Sequence, residues 1–123
     1  MKYAKLLQAG DTVGVCAPSS GVKESLLPRL NKAFLSVREL GYKTIETVSV
    51  RGRVKCVSAD AETRAAEFMS LYENPTVAAI IPPWGGEFLM DMLPLLDFAR
   101  LSGCFMQTAL NKICSRSGVL GKI

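Results

Sequence analysis

The 123-residue chain carries 15 basic and 11 acidic residues, a formal net charge of +4, and 49% of its residues are hydrophobic. This length and composition predict a single globular domain and exclude a disordered chain. The basic residues are scattered apart from a short run at 51–55. We therefore expect no nucleic-acid partner.

The sequence also shows no targeting signal and no motif typical of a metal or cofactor site. The chain has no run of the ~18 to 20 apolar residues that a membrane span needs, and its first residues lack a signal-peptide core. We expect a cytoplasmic protein with no membrane partner. The four cysteines show no C-x-x-C spacing, which favours free thiols. With no histidine, no paired cysteines and no G-x-G-x-x-G fingerprint, we expect neither a metal nor a cofactor.

The absence of histidine also limits catalysis. A serine or cysteine nucleophile usually gives its proton to a histidine, so no Ser-His or Cys-His pair can form within this chain. Only lysine-based or carboxylate-based chemistry is open to these residues by themselves.

The first half of the sequence predicts a strand, a helix and a second strand. The run DTVGVCA at 11–17 is typical of a strand, and Pro18 to Gly21 has turn chemistry. Apolar residues recur every three or four positions over 24–40, which predicts an amphipathic helix, with Gly41 as its C-terminal cap. Residues 42–50, YKTIETVSV, then predict the second strand.

The next stretch repeats the alternation. Asp60 is a predicted N-cap of a helix that ends before Asn74-Pro75. The run TVAAII at 76–81 predicts a third, buried strand. Residues 87–96 predict a third helix that Pro94 ends or kinks, and 104–113 could form another. The predicted buried face of the helix after Asp60 consists of Ala65, Ala66, Phe68, Met69 and Tyr72.

Three strand-helix units predict an α/β domain of three layers with a small parallel sheet. We find no convincing fourth strand after residue 98, so one sheet edge would be exposed. We therefore expect a homodimer through that edge or through the tail, or a tail that folds back on the sheet.

The segment PPWGG at 82–86 is the most informative stretch for function. A strand that passes through two glycines into a helix exposes N–H groups where an anion or a developing oxyanion could lie. The alternative is that Gly85 and Gly86 only make a tight turn. Pro18, Ser19, Ser20 and Trp84 are the other possible cleft residues, because strand ends bind ligands in open α/β sheets. These loops could hold a small carboxylate or phosphate, with Ser19, Ser20 and backbone N–H groups as donors. Trp84 could stack on a ligand, although a lone tryptophan more often caps a core.

The order of these motifs resembles a known family. Three stretches are similar to the N-terminal domain of serine LD-carboxypeptidases, over about residues 5–98. They are LQAGDTVGVCAPSSG at the start, LGYKT after the first helix, and the stretch from RAAEF through PPWGGEF to LLDF. The microcin-immunity peptidases are the most similar subgroup. The resemblance implies a flavodoxin-like or glutamine-amidotransferase-like domain. It also implies hydrolysis of an amide bond in murein peptides or peptidyl-nucleotides, with Gly85 and Gly86 contributing to the oxyanion hole.

The resemblance also shows what this chain lacks. The family's Gly-Tyr-Ser-Asp nucleophile segment is missing after LLDF, and Ser102, Ser115 and Ser117 are candidates only by proximity. The resemblance implies that the family's glutamate and histidine belong to a C-terminal domain, which we expect to be absent from this chain. We expect residues 99–123 to be a divergent tail of a shortened or frame-shifted product, with no catalytic residue and no activity of its own. The alternative is a small anion-binding or dimeric assembly module.

Overall fold

A computed structural model describes residues 6–103, and they form a three-stranded parallel sheet with helices on both faces. The strand order is β2-β1-β3, so the first strand lies in the middle. This is the order of the first three strands in flavodoxin-like folds, and it confirms the predicted α/β class. The strands are β1 (Thr12–Val15), β2 (Lys43–Glu46) and β3 (Val77–Ile81), and the helices are α1 (Leu27–Glu39), α2 (Ala61–Glu73), α3 (Leu89–Met92) and α4 (Phe98–Gly103).

The helix predicted over 24–40 is confirmed, with its first turn in the tighter 3-10 form at Glu24–Leu26. Gly41 ends α1 with a φ of 88°. Its N–H donates to the Arg38 carbonyl at 2.9 Å, and the next N–H, from Tyr42, reaches back to Val37 at 3.3 Å. This pair of bonds is the Schellman arrangement, which favours glycine at that position.

The predicted second strand is too long. β2 stops at Glu46, and Val48–Arg51 forms a 3-10 turn instead of continuing the strand. The reason is tertiary: the carboxylate of Glu67 on α2 accepts hydrogen bonds from the N–H and the hydroxyl of Ser49. The turn buries Val50 completely and leaves Val48 89% exposed. These β-branched residues therefore belong to a turn and not to the predicted strand.

Helix α2 begins where the sequence predicts. The Asp60 carboxylate accepts a hydrogen bond from the Thr63 N–H at 2.7 Å, and this bond lowers the pKa of Asp60. The predicted buried face is partly wrong. Ala66 is exposed, whereas Arg64 and Leu71 are buried with Ala65 and Phe68. A charged residue on the buried face was not expected from the apolar pattern.

The third helix is shorter than predicted. Only Leu89–Met92 is α-helical, and a 3-10 turn at Leu93–Leu95 follows, because Pro94 has no N–H with which to continue the helix. The short α4 then begins at Phe98. The possible helix over 104–113 lies outside the described residues.

Within residues 6–103, two apolar clusters form the core, one on each face of the sheet, which confirms the layered architecture. Between α2 and the sheet lie Cys16, Ala65, Phe68, Leu71, Val77, Ile80, Met92 and Leu101. Between α1 and the sheet lie Val15, Ala17, Val22, Phe34 and Val50. Within residues 6–103, none of the helices has both the length and the apolar character needed to cross a membrane.

Candidate functional site

The loops that follow β1 and β3 meet at the carboxyl edge of the sheet because these two strands are parallel neighbours. The loop after β2 fixes the turn after β1 from the other side. Ser58 donates its N–H to the Ser19 carbonyl at 3.0 Å and its hydroxyl to the Ala17 carbonyl at 2.6 Å. Val22 donates to the Val50 carbonyl at 2.8 Å. The β1 turn therefore has a defined position before any ligand arrives.

Gly85 and Gly86 occupy two different environments. An added Cβ at Gly86 would overlap the Ser19 hydroxyl oxygen, whereas an added Cβ at Gly85 would meet no atom of residues 6–103 within 4 Å. Gly86 is thus required by close packing against the β1 turn. Gly85 instead leaves open space above its backbone.

The N–H groups of both glycines are free to bind an acceptor. Gly85 and Gly86 are exposed, and among the described residues neither N–H has a hydrogen-bond acceptor. Two unpaired donors in succession, held at a strand end, suit a carboxylate or an oxyanion. The helix terminus expected directly after them is not there, because α3 begins only at Leu89 and has four residues.

The other predicted cleft residues surround the glycines. Pro18, Ser19 and Trp84 line an apolar recess of about 120 Å³ together with both glycines. Ser20 and Trp84 line a neighbouring cleft of about 320 Å³. The hydroxyl of Ser20 donates to the Cys56 carbonyl at 2.8 Å. The hydroxyl of Ser19 is buried and has no partner within the described part of the chain.

Arg64 is the important residue that the sequence analysis missed. Its side chain is 3% exposed, and its Nη1 donates to the Pro18 carbonyl at 2.8 Å and to the Phe88 carbonyl at 2.6 Å. Its Nη2 lies 3.7 Å from the Asp91 carboxylate. One guanidinium thus ties the β1 turn to the segment after Gly86. The sequence feature that could have identified Arg64 is its position as an arginine on the otherwise apolar face of the helix.

Cys16 lies under this edge and is poorly suited to be a nucleophile. It is 2% exposed, and burial, together with the negative charge of Glu67, raises the pKa of its thiol to about 12. A neutral thiol at this position packs as a small apolar group.

Residues 6–103 contain one of the three serines that are nucleophile candidates by proximity. Ser102 lies in α4, while Ser115 and Ser117 fall outside the described residues. Within that part of the chain, no group of three or more histidine, cysteine or acidic residues could hold a metal ion. The edge therefore offers backbone donors and a fixed turn.

Comparison with known proteins identifies the family of this chain. The sequence profile of the LD-carboxypeptidase N-terminal domain matches residues 13–108. The match extends past Phe98, where the resemblance in the sequence ended. A Vibrio cholerae serotype O1 protein described as a carboxypeptidase is 31% identical over 102 residues, which cover 82% of this chain and 30% of that protein.

Solved structures give the same result. The microcin C7 self immunity protein MccF, bound to glutamyl sulfamoyl guanosine, superposes with a TM-score of 0.73 at 25% identity over 79% of this chain and 29% of that one. Muramoyltetrapeptide carboxypeptidase from Oxalobacter formigenes superposes with a TM-score of 0.61 at 28% identity over 75% of this chain and 30% of that one. The matched region is thus less than a third of the length of each of these relatives. The chain belongs to the LD-carboxypeptidase family and corresponds to its N-terminal domain.

Proposed function

We propose that this chain provides the oxyanion-binding side of an LD-carboxypeptidase or microcin-immunity type serine peptidase. The observation that supports this role is the pair of exposed, unpaired N–H groups at Gly85 and Gly86. Donors that are already in place stabilise the charge of a tetrahedral intermediate without reorganising during the reaction. The close contact of Gly86 with the Ser19 turn, and the Arg64 clamp, hold this segment in one position.

The proposed substrate is a peptide or peptidyl-nucleotide with an amide bond near an acidic group. The names of the similar structures support this class, since one is a muramoyltetrapeptide carboxypeptidase and MccF was found with glutamyl sulfamoyl guanosine and aspartyl sulfamoyl adenosine. We propose a cytoplasmic location. Cys16 and Cys56 form no disulfide among the described residues, and reducing compartments favour free thiols.

The 123 residues by themselves are proposed not to hydrolyse these substrates. They include no histidine and no Gly-Tyr-Ser-Asp segment, so the nucleophile and its base have to come from other residues. The purified chain, incubated with a muramoyl tetrapeptide, should release no D-alanine above the rate in buffer. Release that follows the chain through purification would contradict this part of the proposal.

The oxyanion role needs a chimera for its test. Residues 13–98 of this chain would replace the matching segment of the Oxalobacter formigenes carboxypeptidase, whose own nucleophile and base remain. We expect release of D-alanine by the chimera. Gly85→Pro removes one donor N–H and should lower kcat by about 10²- to 10³-fold, the usual effect of losing one oxyanion donor. Gly85→Ala keeps the N–H in open space and is the matched control.

The chimera distinguishes an oxyanion-binding role of the two glycines from a role in turn formation alone. Equal kcat values for the alanine and proline variants, with unchanged circular dichroism, would assign the glycines to turn formation alone. A loss of kcat confined to the proline variant would assign the donor role to the backbone.

Self-association is a second candidate role. The sheet order β2-β1-β3 leaves both outer strands without a partner among residues 6–103, and Ile45 on β2 is 40% exposed. Unpaired edges bind other strands readily. We propose a homodimer through one of these edges. Light scattering over a dilution series should give twice the chain mass with a fixed near-ultraviolet dichroism, and a monomer at all concentrations would exclude it.

A further inference from the structure

A cleft of about 320 Å³ lies beside the glycine turn at residues 82–86 and shares Trp84 and Gly85 with the apolar recess. Lys23, Arg53, Cys56, Trp84, Gly85 and Phe88 contribute to its walls. This volume is at the lower end of the ~300–1,000 Å³ range of small-molecule sites. The cleft is therefore large enough for one small organic molecule.

The charge of the cleft is positive. Lys23 and Arg53 both line it, and no carboxylate from residues 6–103 does. Within the described chain, the ion pairs involve Arg51, Arg64 and Arg100, so neither cleft cation is neutralised by an acidic partner. The Arg53 Nε donates to the Lys55 carbonyl at 2.9 Å, which restrains the guanidinium without cancelling its charge. Two unpaired cations facing one cleft favour an anion.

Two aromatic residues, Trp84 and Phe88, also line the cleft. The Trp84 side chain is 40% exposed, and Phe88 lies on the same segment. Trp84 and Gly85 also border the apolar recess, which Cys16, Phe68 and Ile80 line from below. The space above Gly85 is open, so a ligand could contact the ring and the backbone together. An aromatic face beside cations suits a ligand with an acidic group and a planar or apolar group.

We propose that this cleft binds small organic anions, in which a carboxylate or phosphate lies against Lys23 and Arg53 and an attached apolar or planar group packs on Trp84. The site goes beyond the oxyanion role, because binding requires neither the nucleophile nor the unpaired N–H groups of the glycines. The proposal also changes which residues contact the anion. Ser20 was expected to donate to the anion, but its hydroxyl is committed to the Cys56 carbonyl.

The test uses the intact chain and its single tryptophan, Trp84, as the fluorescent reporter. Phenyl phosphate and phenylacetate are the two anionic probes, phenylacetamide is the neutral probe, and inorganic phosphate lacks the apolar group. We expect saturable changes of Trp84 emission with both organic anions and at least fivefold weaker responses to the other two compounds. Raising the ionic strength should weaken binding of the anions.

Charge variants test whether Lys23 and Arg53 contact the anion. The double variant K23Q/R53Q should bind the organic anions roughly tenfold more weakly, because each exposed charge contributes modestly. The control K32Q/K43Q removes the same net charge from exposed residues that do not line the cleft, and it should change the affinity by less than about twofold. Equal affinities of the two double variants would overturn the proposal, as would equal binding of phenylacetamide and phenylacetate.

A second measurement needs no substitution. Cys56 lines the cleft and is exposed, whereas Cys16 is buried. Saturating phenyl phosphate should slow the alkylation of Cys56 by iodoacetamide severalfold, as followed by peptide mapping. An unchanged alkylation rate in the presence of a compound that alters Trp84 emission would place that compound elsewhere and overturn the assignment. This readout is independent of hydrolysis, so it stays decisive even if the chimera proves inactive.

Discussion

Gly86 packs directly against Ser19, although the two residues lie in loops that follow different strands. A β-carbon on residue 86 would lie 3.2 Å from the Ser19 Cβ and would overlap the Ser19 hydroxyl oxygen. Ser19 cannot easily move away, because it is 1% exposed and its carbonyl accepts the Ser58 N–H. The contact joins the β1 turn to the glycine turn and fixes the part of the chain that we propose to bind an oxyanion.

The two glycines should therefore respond differently to alanine. Gly86→Ala forces a methyl group into a filled site and should lower the free energy of unfolding by roughly 1–3 kcal/mol. Gly85→Ala points into open space and should change it by less than about 0.5 kcal/mol. Urea unfolding followed by circular dichroism measures both. Equal effects of the two substitutions would show that the turn relaxes around residue 86.

Ser19 gives a prediction of the opposite sign. Its hydroxyl is buried and has no hydrogen-bond partner among the described residues. Removing an unsatisfied buried polar atom is neutral or stabilising. We expect Ser19→Ala to raise the free energy of unfolding by up to about 1 kcal/mol, and to reduce the cost of Gly86→Ala in the double variant. A loss of stability in Ser19→Ala would reveal a partner for the hydroxyl in solution.

Arg64 should be a strong determinant of stability despite its charge. Arg64→Met keeps the buried aliphatic stem but removes the donors to the Pro18 and Phe88 carbonyls. Both bonds are partly buried, and a polar group left without its partner costs up to roughly 1–3 kcal/mol when it is buried. Thermal and urea unfolding should show this loss. The control is Arg38→Met on α1, since Arg38 is exposed and bonds one threonine hydroxyl, so its effect should be small.

The contribution of Asp60 should depend on pH. The Thr63 N–H lowers the pKa of Asp60 in the folded chain, so the carboxylate stabilises the fold above its unfolded pKa. That stabilisation is lost as the pH falls through the lower, folded pKa. Asp60→Asn retains a capping oxygen that does not titrate. The stability of this variant should therefore vary less between neutral and acidic pH.

Asp60→Ala is the companion variant for this pH experiment. It loses the cap at every pH and should be destabilised most at neutral pH, where the carboxylate of the parent chain is charged. Parallel stability curves for the parent chain and Asp60→Asn across the acid range would contradict the assignment of this titration to Asp60.

Local sequence determined most of the elements. The spacing of apolar residues and the chemistry of Asp60 and Gly41 set the ends of α2 and α1, because caps and periodicity act within a few residues. The same local reasoning predicted three parallel strands and pointed to PPWGG. Local reasoning failed at Val48–Arg51, which forms a 3-10 turn instead of the predicted strand. The Ser49 N–H in this turn donates to Glu67, which lies eighteen residues away in the chain.

Only the tertiary structure decided how the candidate site is built. The sequence contains the two glycines, but it does not show that Gly86 is needed for contact with Ser19 while Gly85 opens onto a cleft. Nor does it show that Arg64 connects two loops or that Lys23, Arg53 and Trp84 line one cleft. These relationships join residues that are distant in the chain, and they arise because parallel pairing brings the carboxyl ends of β1 and β3 to the same edge of the sheet.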